Sequence, residues 1–369
     1  MGNFIRIYNK RKPRKFSEIS RKKMMDIHQD KMKILVVIFS KNEKILHIKD
    51  NLQELNYEVK LLYADSYEYH CTYVMKKIDE LGIHNGRNRY YRLFYKNFIS
   101  TINEFYPNLI LFVNIPTEVI TIHQFQSLIN KYNVACWSVD SLTKQPDVIP
   151  YLKCLKYIYV FEEADVIYLG DLGIKASYLP VGYNPAFQRK SVQQDIDVLF
   201  IGSPFRHRLQ LLEQLSKEGL INNWKIKIIG PFFSGKYPWK KYLFKWKYPC
   251  IYRYLENRRV SLEEAAELYV KTKICLNIHT VDSKSPNPRT FDILATESFE
   301  LIDERFYWGG LKAGEDLEAY SSVDDLINKI KKYLGDPMMR KEIASTGYQH
   351  VHDRLSIKRM LQKIINSIH

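Results

Sequence analysis

The chain contains no run of about 18 apolar residues, and its first residues hold no apolar core of the kind that opens a secretory leader. A protein neither exported by a visible signal nor integral to a membrane is expected. Cysteine is scarce: Cys71, Cys136, Cys154, Cys250 and Cys275 are the five. None has CxxC or Cys/His metal-ligand spacing, so buried free thiols in a reducing cytoplasm are expected. No paired-aspartate metal motif of the DxD kind is visible. Asp324 and Asp325 read as a helix start, where the dipole accounts for them. No repeat of solenoid length occurs. Acidic residues are too few to balance the basic ones, 41 against 56, leaving a net charge of +15. Such an excess fits nucleic acid, an anionic membrane or a phosphorylated substrate. It also fits a plain bias of codon usage toward Lys, Ile, Asn and Tyr, which the 27 tyrosines match.

The charge is uneven. Residues 1–31 are basic, without sustained periodicity, and read as a flexible arm. A second dense block lies between Lys225 and Arg259. Between them, short apolar strands alternate with helical periodicity. KILVVIF at 33–39 is apolar on both faces, as a buried parallel strand requires. Helical patterns follow over 45–55, 73–81, 90–105 and 118–131, with strands at 58–63, 109–113, 134–139, 157–161 and 176–179. The pattern breaks at Gly182-Tyr183-Asn184-Pro185 and restarts with a strand at 197–201, a helix at 207–217 and a strand at 225–229. A helix at 261–271 opens on a capping box of Ser261 and Glu264. The expected fold is α/β, two doubly wound Rossmann-like domains of 32–187 and 188–369 facing across a cleft.

Ile274 to Asp303 carries most of the chemistry. Ile274, Leu276 and Ile278 alternate with Cys275, Asn277 and His279, then a polar Pro-broken loop leads to a short helix. Arg289 and Asp292 lie three apart at that helix start. The helix N-terminus and Arg289 suit phosphate oxygens, and Asp292 suits ribose hydroxyls. An ordinary surface ion pair is the plainer alternative. Gly202 allows close backbone approach beside Arg206 and Arg208, where a guanidinium could hold a diphosphate. Gly230 ends a strand and could flank a base, or could simply turn the chain.

The order Asn277-x-His279, then Asn287-x-Arg289-x-Phe291-Asp292 resembles the donor region of the CgeB-like glycosyltransferases, which have the GT-B fold. YLPVGYNPAFQ (178–188) is similar to that family's interdomain crossing, DVLFIGSPFRHR (197–208) to its first C-domain strand and turn, and WSVDS (137–141) to a strand end with an Asp in the cleft. The resemblance spans roughly 33–365. It departs at Asp292, where the family has Glu, and at Thr296, Glu297 and Ser298, where small residues are usual. It implies a metal-independent enzyme without a resident cofactor, moving sugar from a nucleotide sugar to a glycan, lipid-linked or protein acceptor. Gly202, Arg206, Gly230, Asn277, His279, Asn287, Arg289 and Asp292 would bind the donor. Asp140 would be the general base of an inverting reaction. In similar enzymes a terminal helix, here expected over 357–368, leans back on the first domain.

Residues 232–254 interleave Lys with Trp, Tyr and Phe. With the arm at 1–30 they suggest peripheral attachment to an anionic membrane face. A helical hairpin packing its rings on the second domain, or single-stranded nucleic acid, are alternatives. Other readings of the whole chain are a non-catalytic nucleic-acid or surface-binding protein and a GT-B-type sugar-nucleotide epimerase.

Overall fold

A computed structural model of the chain describes residues 31–38, 47–63, 86–281, 283–352 and 354–368. The basic arm, the helix expected at 73–81 and Cys71 lie outside the described residues.

The first sheet comprises β1 (Lys33–Ile38), β2 (Glu58–Tyr63), β3 (Leu109–Val113), β4 (Asn133–Ser138), β5 (Tyr157–Val160) and β6 (Ser177–Tyr178). The helices described between them are α1 (Ile48–Glu54), α2 (Gly86–Phe105), α3 (Ile122–Ile129), α4 (Ile149–Leu152) and α5 (Glu163–Asp171). The second sheet comprises β7 (Ile196–Ile201), β8 (Ile226–Ile229), β9 (Leu255–Glu256), β10 (Thr272–Asn277), β11 (Glu300–Asp303) and β12 (Glu318–Tyr320). Its helices are α6 (Arg206–Asn222), α7 (Pro238–Lys247), α8 (Pro249–Tyr254), α9 (Leu262–Val270), α10 (Pro288–Ala295), α11 (Val323–Gly335) and α12 (Pro337–His352), and α13 (Ile357–Asn366) ends the chain.

The orders are β2-β1-β3-β4-β5-β6 and β12-β11-β10-β7-β8-β9, and every pairing is parallel. Each sheet reverses its order near its centre, so ligands are expected beyond the carboxyl ends of β1 and β3 and of β7 and β10. The apolar runs form the central strands because both faces are covered: Leu35 and Val37 pack toward Phe98, Ile102 and Phe112, while Ile34 and Val36 face a cluster shared with the second domain.

Helix α3 starts later than periodicity alone suggests. Pro116 to Ile120 form turns, and Thr121 closes a full capping box with Gln124. At α9 only half the expected box forms. Ser261 Oγ accepts from the Glu264 amide at 3.1 Å, but the Glu264 carboxylate is taken by Arg258 at 2.8 Å.

The two halves are stitched together at their crossing. Gly182 has φ +78°, and a Cβ there would lie 2.4 Å from the Leu355 carbonyl. Tyr183 N–H donates to Leu355 O at 3.0 Å, and Ile357 N–H to Tyr183 O at 3.2 Å. Ile357, Met360, Leu361, Ile364 and Ile365 make one buried stripe of α13, each worth about 1.5–3 kcal/mol of burial. That helix crosses to the first domain, where Lys358 Nζ meets Glu54 at 3.0 Å and Ser367 bonds Tyr159.

Candidate active site

β10 and β11 are buried neighbours, and both end at the same edge. The loop after β10 returns to that edge as α10, so three chain segments place polar side chains together. Asn277, fully buried at the last position of β10, is the hub. Its Oδ1 accepts from Asn287 Nδ2 and from Arg289 Nη1, both at 3.2 Å. Its Nδ2 faces Glu300 Oε1 at 2.8 Å, with Thr290 Oγ1 and Asn287 Oδ1 at 3.2 Å. Asn287 is also the N-cap of α10 and accepts from the Arg289 amide at 3.0 Å. The guanidinium of Arg289 is thereby tied to the start of its own helix.

His279, two residues past Asn277, is equally buried. Its Nδ1–H donates to Asp303 Oδ1 at 2.9 Å, and its Nε2 accepts from the Asn287 amide at 2.9 Å. These partners fix one neutral tautomer. Burial lowers its pKa, against the opposing pull of Asp303. Burial by itself would raise Asp303; the bonds from His279 and the charge of Arg305 outweigh it and hold that carboxyl below its ordinary range. His207, in the first turn of α6, donates to the His279 carbonyl at 2.7 Å and closes the edge between β7 and β10.

Gly202 and Gly230 sit at the ends of β7 and β8, where the backbones nearly touch. A Cβ on Gly230 would lie 2.0 Å from the Gly202 carbonyl, and one on Gly202 would lie 2.7 Å from the Phe200 ring. Close approach is reason enough for glycine at both. Of the two arginines that follow, Arg206 is exposed and Arg208 is 5% exposed. Arg208 donates to Ser203 O at 3.3 Å, stacks against Phe205 with its guanidinium carbon 4.9 Å from the ring centroid, and leaves Nε without a hydrogen-bond partner. Burial and the neighbouring Arg289 pull its pKa down to about 10, against Asp303 and Tyr320.

Asp292 lies one turn into α10 and is buried. Its Oδ1 accepts from the Asn184 amide at 3.2 Å, so its observed partner is the interdomain crossing. Asp140 belongs to the other domain, just past β4, and is exposed. Asn114, in the left-handed region at φ 60°, aims it: Nδ2 donates to Asp140 Oδ2 at 2.8 Å, while Oδ1 accepts from the Val139 amide at 2.9 Å. The structure thus brings Asn277, His279, Asn287 and Arg289 into one network, sets Gly202 and Gly230 on adjacent strand ends, turns Arg206 outward, and carries Asp140 on the first domain.

Sequence reasoning passed over Asp303, Thr290 and Glu162, and it sets aside Glu300, eight residues after Asp292, because the helix boundary falls wrongly for a paired-acid reading. Glu300 is fully buried with Oε2 unpartnered, and burial raises its pKa to about 7, opposed by Asn277, Thr290 and Arg289. A charged residue at the first position of a buried strand is the signal that could have exposed it. Glu162, also buried, spans the two domains: Oε1 accepts from Ser283 Oγ and Oε2 from the Ser285 amide, both at 3.0 Å. Among the described residues no group of three or more His, Cys, Asp or Glu is placed to hold a metal ion. No helix among them is long and apolar enough to cross a membrane.

Comparison with known proteins agrees with this frame. Residues 206–366 match the model of a family described as glycosyl transferase-like. The spore protein CgeB of Bacillus subtilis (strain 168) is 27% identical over 217 residues, which is 54% of this chain and 63% of CgeB. The chain therefore aligns with less than two thirds of that relative. Among solved structures, a glycosyltransferase from Rickettsia africae ESF-5 superposes with TM-score 0.65 at 12% identity, over 92% of this chain and 98% of the other. HepE from Anabaena, in complex with UDP and glucose, gives TM-score 0.62 at 12% identity, over 91% and 99%. Those two likenesses establish the fold. The chain thus has the two-domain GT-B fold, and over 206–366 it is similar to the glycosyl transferase-like family.

Proposed function

We propose that the protein moves a sugar from a nucleotide-sugar donor to an acceptor hydroxyl on a glycan, a lipid-linked carrier or a protein. The observation that carries this reading is Arg208. A buried guanidinium with a free Nε, set beside a second guanidinium at the carboxyl edge of β7 and β10, is unfavourable until an anion joins it. A diphosphate supplies the acceptor oxygens, and the N-terminus of α10 adds its dipole. As the glycosyl–oxygen bond breaks, its electron pair leaves with the diphosphate, and these groups stabilise the growing negative charge. Asp140, oriented by Asn114, takes the proton of the acceptor hydroxyl as its oxygen bonds the anomeric carbon. HepE, a fold neighbour with UDP bound, makes UDP the first donor nucleotide to try. A membrane face against the chain would bring a lipid-linked acceptor to the cleft.

The test is a thermal-shift panel of UDP, GDP, CMP and dTDP on the full chain. One diphosphonucleotide should raise the midpoint selectively, and Arg208→Gln and Arg289→Ala should each abolish that rise. No response to any of them, with wild type folded, removes the reading.

A further inference from the structure

We propose that helix α7 seats the protein on an anionic lipid surface. This half of the insert leaves β8 at its carboxyl end, the edge that also carries the Asn277 and Arg289 network. Phe244 turns inward against Phe232, Phe233 and Tyr248 and anchors the helix. Trp239, Tyr242, Leu243 and Trp246 turn outward, 58%, 71%, 51% and 80% exposed. Their spacing of i, i+3, i+4 and i+7 puts them on one ridge, roughly 100° of the helix circumference. A soluble helix normally buries such a ridge, and here it faces outward. By the same 100° step per residue, Lys240 and Lys247 flank it on one side and Lys245 on the other, with Lys241 farther round toward Phe244. No Asp or Glu occurs anywhere in 231–255. An apolar ridge between uncompensated lysines complements a bilayer whose headgroups are anionic: rings and Leu243 enter the interface while the ammonium groups meet phosphates. Single-stranded nucleic acid fits less well, because Leu243 at the middle of the ridge offers a base no ring to stack on.

Docking by α7 does not depend on the glycosyl-transfer reading; only the claim that a lipid-linked acceptor is met there rests on it. The full chain is sedimented with vesicles containing phosphatidylglycerol and with vesicles of phosphatidylcholine alone. Two variants accompany it, Trp239→Ser/Trp246→Ser and Lys240→Gln/Lys241→Gln/Lys245→Gln/Lys247→Gln. Wild type should pellet with the anionic vesicles only, and each variant should lose about tenfold or more in partition, with an unchanged thermal midpoint. Tryptophan emission should shift to the blue on vesicle binding, and the Trp pair variant should lose most of that shift. Failure of wild type to pellet, or equal pelleting of the variants, overturns the proposal. So does salt-sensitive binding of a single-stranded oligonucleotide that the variants lose while vesicle binding is unchanged. A missing response to UDP with intact vesicle binding would defeat the glycosyl-transfer reading and leave this one standing.

Discussion

Asp303 Oδ1 lies 2.9 Å from both the backbone nitrogen and the Nδ1 of His279, so one carboxylate oxygen fixes a strand end and a ring at once. The ring in turn accepts from Asn287 and thereby positions the first turn of α10. The placement of Arg289 at the start of that helix is therefore inherited from a neutral histidine.

Because burial lowers the His279 pKa, the unfolded chain binds the extra proton as pH falls below the ordinary value of about 6.5. Its stabilising contribution is complete above that value and is lost as pH falls toward the folded-state pKa. His279→Gln removes this dependence. The free-energy gap between wild type and variant should widen with pH up to about 6.5 and then stay level. Denaturant unfolding at several pH values checks it; a gap independent of pH would show that the ring does not stay neutral on folding.

Glu300 runs the other way. Its pKa is raised to about 7 from an ordinary 4.5, so the folded chain holds the extra proton between those values. Wild-type stability carries a penalty that grows as pH rises from 4.5 through 7 and is complete above it. Glu300→Gln keeps the oxygen that Asn277 and Thr290 use and removes the buried charge. At pH 8 the variant should be more stable, by up to about 3 kcal/mol if the whole shift is recovered. Equal stability of the two proteins at pH 5 and pH 8 would mean that Glu300 is paired or solvated on folding.

Much of this was legible in the residues. KILVVI declares a buried parallel strand because both faces are apolar, the alternation of Ile274 and Leu276 with Cys275 and Asn277 declares a short buried strand, and Asn287-Pro288 declares a helix start because capping is local chemistry. What failed to show depends on which side of an element meets a distant segment. Arg206 and Arg208 are two residues apart on a helix, about 200° around it, and only the Phe200 and Phe205 rings decide that Arg208 is the one turned in. Asp292 shares its helix turn with Arg289, yet the crossing segment, 108 positions earlier in the chain, reaches it first. Glu162 pairs with Ser283 and Ser285 across 121 and 123 positions, a contact no local pattern announces.

Glu162 holds the loop before α10 to the first domain, and its removal should loosen the domains together with the site. Glu162→Ala strands the buried Ser285 amide, while the Ser283 hydroxyl keeps the Ser285 carbonyl as acceptor. A loss of about 1–3 kcal/mol per stranded buried group is expected, read as a lower denaturant midpoint. Hydrogen exchange should quicken in 283–287 while the centre of β1 stays protected. Unchanged exchange in that loop would show that Glu162 does not hold it.

Asp292→Ala separates a structural role from a binding role. The Asn184 amide loses its acceptor inside a packed crossing, so a stability loss of about 1–3 kcal/mol is expected without any ligand. If Asp292 acts only through that amide, Asp292→Asn should restore stability, since its side-chain oxygen still accepts, and nucleotide affinity should return with it. If ribose hydroxyls use the carboxylate charge, Asp292→Asn should fold normally and still bind the nucleotide about tenfold or more weakly, as expected for a hydrogen bond to an ionised group. Calorimetric titration of the two variants decides between these outcomes.

Arg208 should show opposite effects on stability and binding. Without an anion, its guanidinium is buried beside Arg289 with Nε unsatisfied, and both conditions cost free energy. Arg208→Met keeps the apolar packing on Phe200 and Phe205 and removes the charge. The unliganded variant should unfold at a temperature equal to or above wild type. Its affinity for the diphosphonucleotide should fall about 10- to 100-fold, the equivalent of one or two charge-assisted hydrogen bonds lost from a buried site. A residue placed only for packing would move both measurements in the same direction. One that faces an anion must separate them, because the cost of burying its charge beside Arg289 is recovered only when phosphate oxygens meet it.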